Sequence, residues 1–130
     1  MTLHAQGLPG YTETVDLWRE RLLAKPGATE DTPFGPEALV YKVAGKMFAL
    51  ISLGETRLGM NLKCDPQEAM IIRDSFDAVI PGYHMNKKHW NTVDLLAGLE
   101  TELIQGWVDD SYELVKSKLP KRIQSQLTGA

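Results

Sequence analysis

The sequence predicts an α+β fold, a two-layer domain in which helices flank one antiparallel sheet. Three features indicate this class. Apolar residues recur at helical spacing over residues 12–25, the repeat changes to two residues between residues 39 and 64, and a second long helical repeat covers residues 100–119. Helices that are separated along the chain from a run of antiparallel strands are typical of α+β domains.

The first helix is predicted from the apolar stripe that Val15, Trp18 and Leu22 form at helical spacing. The Pro26-Gly27 pair ends it, because proline lacks the N–H that continues a helix and glycine readily takes the left-handed exit conformation. Residues 28–36 are rich in Thr, Pro and Gly, and this composition predicts a loop.

The middle of the sequence predicts a three-stranded antiparallel meander with one buried face. Its strands cover residues 39–43, 46–52 and 57–64, and Ala44-Gly45 supplies the first tight turn. The third strand alternates cleanly, so that its apolar side chains share one face. These are Leu58, Met60, Leu62 and Cys64.

The second half of the sequence predicts helices on both sides of a pair of strands. Asp65 is a suitable cap for a helix that extends to about residue 76, with Pro66 at its first position. Residues 77–83 form at best an edge strand. The remaining predicted elements are a strand over residues 90–95, a helix over about residues 100–119 and a short helical piece over residues 121–127. The predicted order of the main elements is therefore α-β-β-β-α-β-β-α.

We expect one hydrophobic core between the sheet and the helices. The inner positions of separate elements must meet in a two-layer domain, so their large apolar side chains form one cluster. Its predicted members are Phe48, Leu62, Trp90, Trp107 and Leu114.

Composition excludes several classes of protein. The longest strongly apolar stretch, residues 47–51, is far shorter than the ~20 residues of a membrane-spanning helix. The first residues carry no Lys or Arg and no apolar segment, unlike a signal peptide. Cys64 is the only cysteine, which rules out an intramolecular disulfide and indicates a reducing compartment. We expect a cytoplasmic single domain over residues 1–130 that is monomeric and has no cofactor, with residues 1–10 as a loosely ordered extension.

The densest polar cluster of the sequence lies in residues 83–90, within a predicted hairpin loop. Lys87 and Lys88 are suited to phosphate contacts, and Tyr83 or Trp90 to stacking on a base. The alternative is a solvated turn whose Trp90 anchors the following strand in the core, since aromatic residues beside turns are commonly packing residues.

Metal binding and nucleophilic catalysis receive little support from the sequence. His84 and His89 are separated by four residues on an extended segment. This spacing does not bring them to one face, as a pair of histidines four positions apart on a helix would be. Ser75, Ser111 and Cys64 are possible nucleophiles, but none lies in a strand–turn–helix elbow or a glycine-rich oxyanion setting. We therefore expect no metal site and no enzymatic activity.

Basic residues gather in two places although the net charge is −3. Alternation places Lys42 and Lys63 on the less buried face of the sheet. A second group lies at the end of the last long helix, where cations interact favourably with the helix dipole. This group is Lys116, Lys118, Lys121 and Arg122.

The block of residues 84–90, together with shorter pieces elsewhere in the chain, resembles the MmcQ/YjbR-like family of small bacterial proteins, and the match extends over nearly the whole chain after its first ten residues. The most specific match is the block of residues 84–90, which ends in His89-Trp90. The shorter matching pieces are residues 24–27, 46–49, 61–63, 92–93 and 111–115. The resemblance implies a sheet flanked by helices, CyaY-like or related to secretion chaperones, and a double-wing DNA-binding protein.

We accordingly expect a small non-enzymatic bacterial protein that binds DNA through the hairpin loop and the exposed sheet face. Lys63, Lys87 and Lys88 would contact the backbone of the nucleic acid. The residues expected to shape the surface are His84, Asn86 and Trp90. The alternative is a protein-partner or chaperone-like binding domain that uses the same sheet face.

Overall fold

The computed structural model of the protein describes residues 10–54, 57–82 and 85–128, in which the chain forms four helices and six strands. Most of the predicted extension at residues 1–10 lies outside these ranges. No helix of the described ranges is long and apolar enough to cross a membrane. In chain order the elements are α1 (Tyr11–Leu23), β1 (Ala28–Asp31), β2 (Ala38–Val43), β3 (Lys46–Leu53), β4 (Leu58–Lys63), α2 (Pro66–Ser75), β5 (Val79–Pro81), β6 (Trp90–Asp94), α3 (Thr101–Lys116) and α4 (Lys121–Thr128).

The six strands form one antiparallel sheet in the order β1-β2-β3-β4-β6-β5. The α+β class and the β2–β3–β4 meander are confirmed, and β5 is an edge strand as predicted. β6 inserts between β4 and β5, so the hairpin of β5 and β6 pairs with the meander through β6. Asp65 caps α2 as predicted, with its carboxylate accepting from the backbone N–H groups of Gln67 and Glu68.

The helices pack on one face of this sheet. α3 lies across β2, β3 and β4, while α2 contacts β5 and β6 and α1 contacts β1. The largest fully buried side chains between the two layers are Trp18 of α1, Tyr41 of β2 and Tyr112 of α3. This arrangement places the core between the sheet and a single layer of helices.

The predicted core is correct for two of its five members. Phe48 and Leu62 are buried, and Trp107 is half-buried against the cluster. Trp90 and Leu114 are half-buried and lie outside the cluster, so their assignment to it was wrong. The spacing of apolar residues shows which side chains share a face, but it does not show how completely a neighbouring element covers that face.

Residues 28–31 were predicted as loop, and the structure corrects this to the edge strand β1. The reason is a contact that is distant in sequence. The carboxylate of Glu30 accepts hydrogen bonds from the hydroxyl of buried Tyr41 at 2.5 Å and from the guanidinium of Arg19 at 2.8 and 3.0 Å. These bonds hold β1 between β2 and α1, although its composition does not favour a strand.

A β-bulge in β3 changes the direction of one core side chain. Tyr41 pairs with Ala49 and Lys42 pairs with Met47, so Phe48 is an extra residue in β3. Its ring is fully buried and meets the ring of Tyr112 edge-on, with centroids 5.3 Å apart. The bulge therefore lets β3 send a large aromatic side chain to α3.

Ser111 of α3 closes the gap that the bulge leaves in the sheet. Regular pairing of β3 with β4 ends at Ala49 and Leu62, one residue before Phe48 would meet Lys63. The buried hydroxyl of Ser111 donates to the carbonyl of Phe48 at 2.6 Å and accepts from the N–H of Lys63 at 2.8 Å. The hydroxyl thus satisfies two backbone groups that the strands do not pair with each other.

The other side of the sheet, here called the second face, has none of the helices packed on it. We define it by the side chains that alternate along the strands with those facing the helices. These are Val40, Lys42, Leu50, Asn61, Lys63, Trp90 and Thr92.

The centre of the second face is closed to solvent, which corrects the prediction of a meander with only one buried face. Val40, Leu50, Asn61 and Thr92 are all buried. At β4 and β6 the cause is local, because Thr92 donates its hydroxyl to the side chain of Asn61 and neighbouring strands surround both. The exposed part of this face lies towards its ends.

We predict that Trp18 is more important for stability than Trp90. Trp18 is 2% exposed within the core cluster, so Trp18→Ala should lower the free energy of unfolding by about 3–5 kcal/mol. Trp90→Ala, at a half-buried site outside the cluster, should cost clearly less. Urea unfolding followed by circular dichroism measures both values, and an equal loss in the two variants would contradict the described core.

A second prediction concerns how the stability of the fold changes at acidic pH. The hydrogen bond from Arg19 lowers the pKa of Glu30 below its ordinary value of 4.5, so ionised Glu30 stabilises the fold above that pH. This contribution is lost as the pH falls through the pKa of the folded state. Glu30→Gln should therefore be less stable than wild type at pH 7, and the difference should shrink on acidification. Thermal melts at pH 7 and below pH 4 test this, and a constant difference would contradict it.

Candidate nucleic-acid interface

The β5–β6 hairpin brings its connecting loop to one end of the second face. The N–H of Gly82 donates to the carbonyl of Trp90 at 2.8 Å, which closes the loop where β6 begins. The N–H of Cys64 donates to the carbonyl of His89 at 2.8 Å, which ties the loop to the end of β4. The loop is therefore attached to two neighbouring strands.

Lys63 and Trp90 face each other across β4 and β6. They are register partners, so their Cβ atoms lie roughly 5 Å apart on the second face. Both side chains are half-buried. The hydrogen-bonded loop ends immediately before Trp90, so two predicted site residues that are 27 positions apart in the sequence are both neighbours of the predicted loop.

The described part of the loop shows different roles for three of its polar residues. The side chain of Asn86 accepts from the N–H of Lys88 at 2.9 Å, so Asn86 shapes the turn. Lys87 donates from Nζ to the carbonyl of Gly82 at 3.0 Å, which gives it a part in closing the loop. Lys88 is exposed. His84, the remaining predicted site residue, lies outside the described residues.

Gly82 allows the loop to pack closely against β6. A Cβ atom at this position would lie 2.8 Å from Cβ of Trp90 and 3.0 Å from its carbonyl oxygen. Backbone and a rigid Cβ cannot move aside as the end of a long side chain can. The close approach of the loop to Trp90 therefore requires glycine at this position.

Three lysines lie in a row across this end of the sheet, which we call the basic end. They are Lys42 near the end of β2, Lys63 at the end of β4 and Lys88 in the loop. Among the described residues, no carboxylate forms an ion pair with any of them. At about 4.8 Å per strand, the row spans roughly 14 Å from β2 to β6.

Lys46 at the start of β3 does not belong to this row, because it pairs with Val43, whose side chain lies in the core on the helix side of the sheet. The charge also changes sign along the strands. At the opposite end of β4 and β6, Asp77 and Asp94 line a cavity of about 130 Å³ together with Arg57. The net negative charge of the chain is thus compatible with a local concentration of positive charge at the basic end.

The candidate nucleophiles are engaged elsewhere. The hydroxyl of Ser111 is buried between Phe48 and Lys63, and that of Ser75 donates to the carbonyl of Ile71 in its own helix. Burial raises the pKa of the Cys64 thiol to about 11, so the thiol is overwhelmingly protonated at neutral pH. Within the described residues, no three His, Cys, Asp or Glu side chains converge to hold a metal ion.

Comparison with known proteins places the chain in a family. The YjbR family matches residues 23–114. The uncharacterised protein YbdF of Escherichia coli O157:H7 is 40% identical over 95 residues, which cover 73% of this chain and 78% of YbdF. The uncharacterised protein YjbR of Escherichia coli K12 is 35% identical over 99 residues, which cover 76% of this chain and 84% of YjbR.

Solved structures give the same result. The crystal structure of Deinococcus radiodurans protein DR2400, a DUF419 domain, matches with a TM-score of 0.80 and 35% identity over 88% of this chain and 87% of its own. A Pseudomonas syringae protein matches with a TM-score of 0.69 and 26% identity over 76% of this chain and 96% of its own. The likeness to CyaY and to secretion chaperones stays a prediction. The family resemblance seen in the sequence is confirmed, and the chain belongs to the YjbR family.

Proposed function

We propose that this protein binds DNA, without enzymatic activity, through the basic end of the second face. The observation that supports this most is the register of β4 with β6. It places Lys63 beside Trp90 and next to the loop that bears Lys88. Cations and an aromatic ring in one exposed area are the two components of a surface for single-stranded nucleic acid.

The lysine row supplies the electrostatic part of the interaction. A span of roughly 14 Å equals the rise of about four nucleotides along one strand of a duplex. Lysines that contact phosphates release condensed counterions, which makes such binding strongly dependent on salt. Lys42, Lys63 and Lys88 have no acidic partner in the described structure that a phosphate would have to displace.

Trp90 favours single strands over duplex. Its ring is half-buried and faces away from the helices, beside the lysine row. A base can stack on such a ring only when it is not stacked in a duplex, and each such contact contributes about 1–3 kcal/mol. We therefore expect tighter binding of single-stranded DNA than of duplex DNA at equal salt.

A protein partner is the second candidate, because two large apolar side chains of α2 are exposed. Met70 and Ile71 of α2 are 61% and 58% exposed and are adjacent in sequence. The second face supports such a partner less well, since its apolar residues Val40 and Leu50 are 1% and 8% exposed. A partner of this kind would bind through α2, and its binding would depend little on salt.

We predict that Lys63→Gln combined with Lys88→Gln weakens binding to a labelled 20-nucleotide single strand at least tenfold at low salt. The slope of log affinity against log salt should become shallower by about 0.7 for each phosphate contact that is lost. Fluorescence anisotropy measures both quantities. Lys118→Gln combined with Lys121→Gln changes the net charge equally and should bind nearly as wild type.

Two outcomes of this experiment would contradict the proposal. Equal weakening in the two double variants would mean that only net charge matters. Absence of binding by wild-type protein to single-stranded or duplex DNA at low salt would remove DNA as the ligand, and the protein-partner candidate would then lead.

We also predict that Gly82→Ala weakens DNA binding without any change of charge. The new Cβ would displace the loop from Trp90, since it would lie within 3.0 Å of Cβ and the carbonyl oxygen of Trp90 and of Cβ of Met85. Gly106→Ala is the matched control, because open space surrounds Gly106 in α3 and alanine favours the helix by about 1 kcal/mol. Anisotropy and thermal melts distinguish the two variants. Wild-type affinity in a correctly folded Gly82→Ala variant would show that the loop does not contribute.

A further inference from the structure

A groove lies between α2 and α3, on the side of the sheet opposite the second face. Its volume is about 550 Å³, within the range of small-molecule sites. Apolar side chains form part of its lining, among them Ile72 of α2 and both Trp107 and Leu114 of α3. The groove is separate from the basic end and does not depend on the proposed DNA binding.

A buried acceptor without a partner lines a small cavity that adjoins this groove, and we call this cavity the base of the groove. Asn91 is 4% exposed and lines a small cavity of about 20 Å³, which shares Cys64, Ile72 and Trp107 with the groove. Its amide nitrogen donates to the carbonyl of Ala69 at 3.4 Å, while its Oδ1 has no hydrogen-bond partner in the described structure. A buried acceptor of this kind costs free energy until a donor reaches it.

Carboxylates from both helices surround the groove. Asp65 and Glu68 lie at the start of α2, and Asp110 and Glu113 lie on α3, so the two members of each pair are three positions apart in the sequence. None of the four forms an ion pair among the described residues. Burial is the main cause of the raised pKa of Cys64, and the charges of Glu68, Asp110 and Asp65 add to it, with Arg73 acting oppositely.

The arrangement of these charges favours an extended cation over a metal ion. No three acidic, histidine or cysteine side chains of the described ranges converge on one point. Separate carboxylates along an apolar groove instead match ammonium groups that are separated by methylene segments. The methylene segments would contact Ile72, Leu114 and the Trp107 ring, which also attracts cations.

We propose that this groove binds a linear aliphatic polyamine, with one terminal ammonium group donating to Oδ1 of Asn91. The remaining ammonium groups pair with Asp110 and Glu113 on α3 and with Glu68 on α2. An ammonium group suits the small cavity at the base of the groove, because it is small and carries three donors for an acceptor such as Oδ1 of Asn91 and no acceptor of its own.

Isothermal titration of the full chain with spermidine in 150 mM salt tests the proposal. We expect saturable one-to-one binding to wild-type protein, and at least about tenfold weaker binding after Asp110→Asn with Glu113→Gln. The matched control is Asp16→Asn with Glu20→Gln, which removes two exposed carboxylates of α1 and should bind as wild type. Butylamine, with one charge, should bind far more weakly than spermidine.

Asn91→Leu tests the base of the groove, with thermal melting as the check that the variant folds. We expect a loss of affinity of about tenfold for spermidine, the effect of one lost hydrogen bond to a charged group. Unchanged affinity would overturn the proposal, since the small cavity would then hold no more than water. Equal weakening in the two carboxylate variants, or no saturable heat with wild type, would also overturn it. Binding of a lysine-rich peptide but not of spermidine would make the occupant a protein segment and the polyamine assignment wrong.

Discussion

A single buried hydroxyl, that of Ser111, connects α3 to two adjacent strands at the point where their pairing ends. The bulge at Phe48 turns that aromatic ring into the core, but it also leaves a carbonyl of β3 and an N–H of β4 apart. Ser111 bonds to both groups, so the bulge has no unpaired backbone at this point. A residue without a hydroxyl would leave two buried groups unsatisfied, each at a cost of about 1–3 kcal/mol.

Both candidate sites depend on this connection. Lys63, whose N–H bonds to Ser111, belongs to the basic end of the second face. On the other side, the same helix presents Trp107 and Asp110 to the groove. The position of α3 relative to β4 therefore fixes two surfaces that lie on opposite sides of the sheet. The core contact between Phe48 and Tyr112 holds the helix in the same place.

Sequence reasoning succeeded where local chemistry decides the structure. The Asp65 cap, the Ala44-Gly45 turn and the shared face of Leu58, Met60 and Leu62 each depend on a few neighbouring residues, and all three are present. It failed for β1, because Glu30 becomes part of a strand through bonds to Tyr41 and Arg19, each 11 positions away. No local pattern contains that information.

The candidate site shows the same division between local and distant information. The loop and its lysines were visible as a dense polar segment, and alternation placed Lys63 on the correct face. The row of cations was not visible, since it requires the register of four strands. The role of Lys87 in closing the loop depends on a bond to Gly82 that sequence composition does not indicate.

The two edges of the sheet have a consequence for the behaviour of the protein in concentrated solution. β5 is only three residues long and ends in Pro81, which has no N–H to offer another strand. β1 is four residues long and exposes Thr29 and the charged side chain of Asp31. Short edges with a proline or a charge are poor templates for further strands, so neither edge favours growth of the sheet from one molecule into the next. The fold thereby keeps a six-stranded sheet with two free edges from acting as a seed for aggregation.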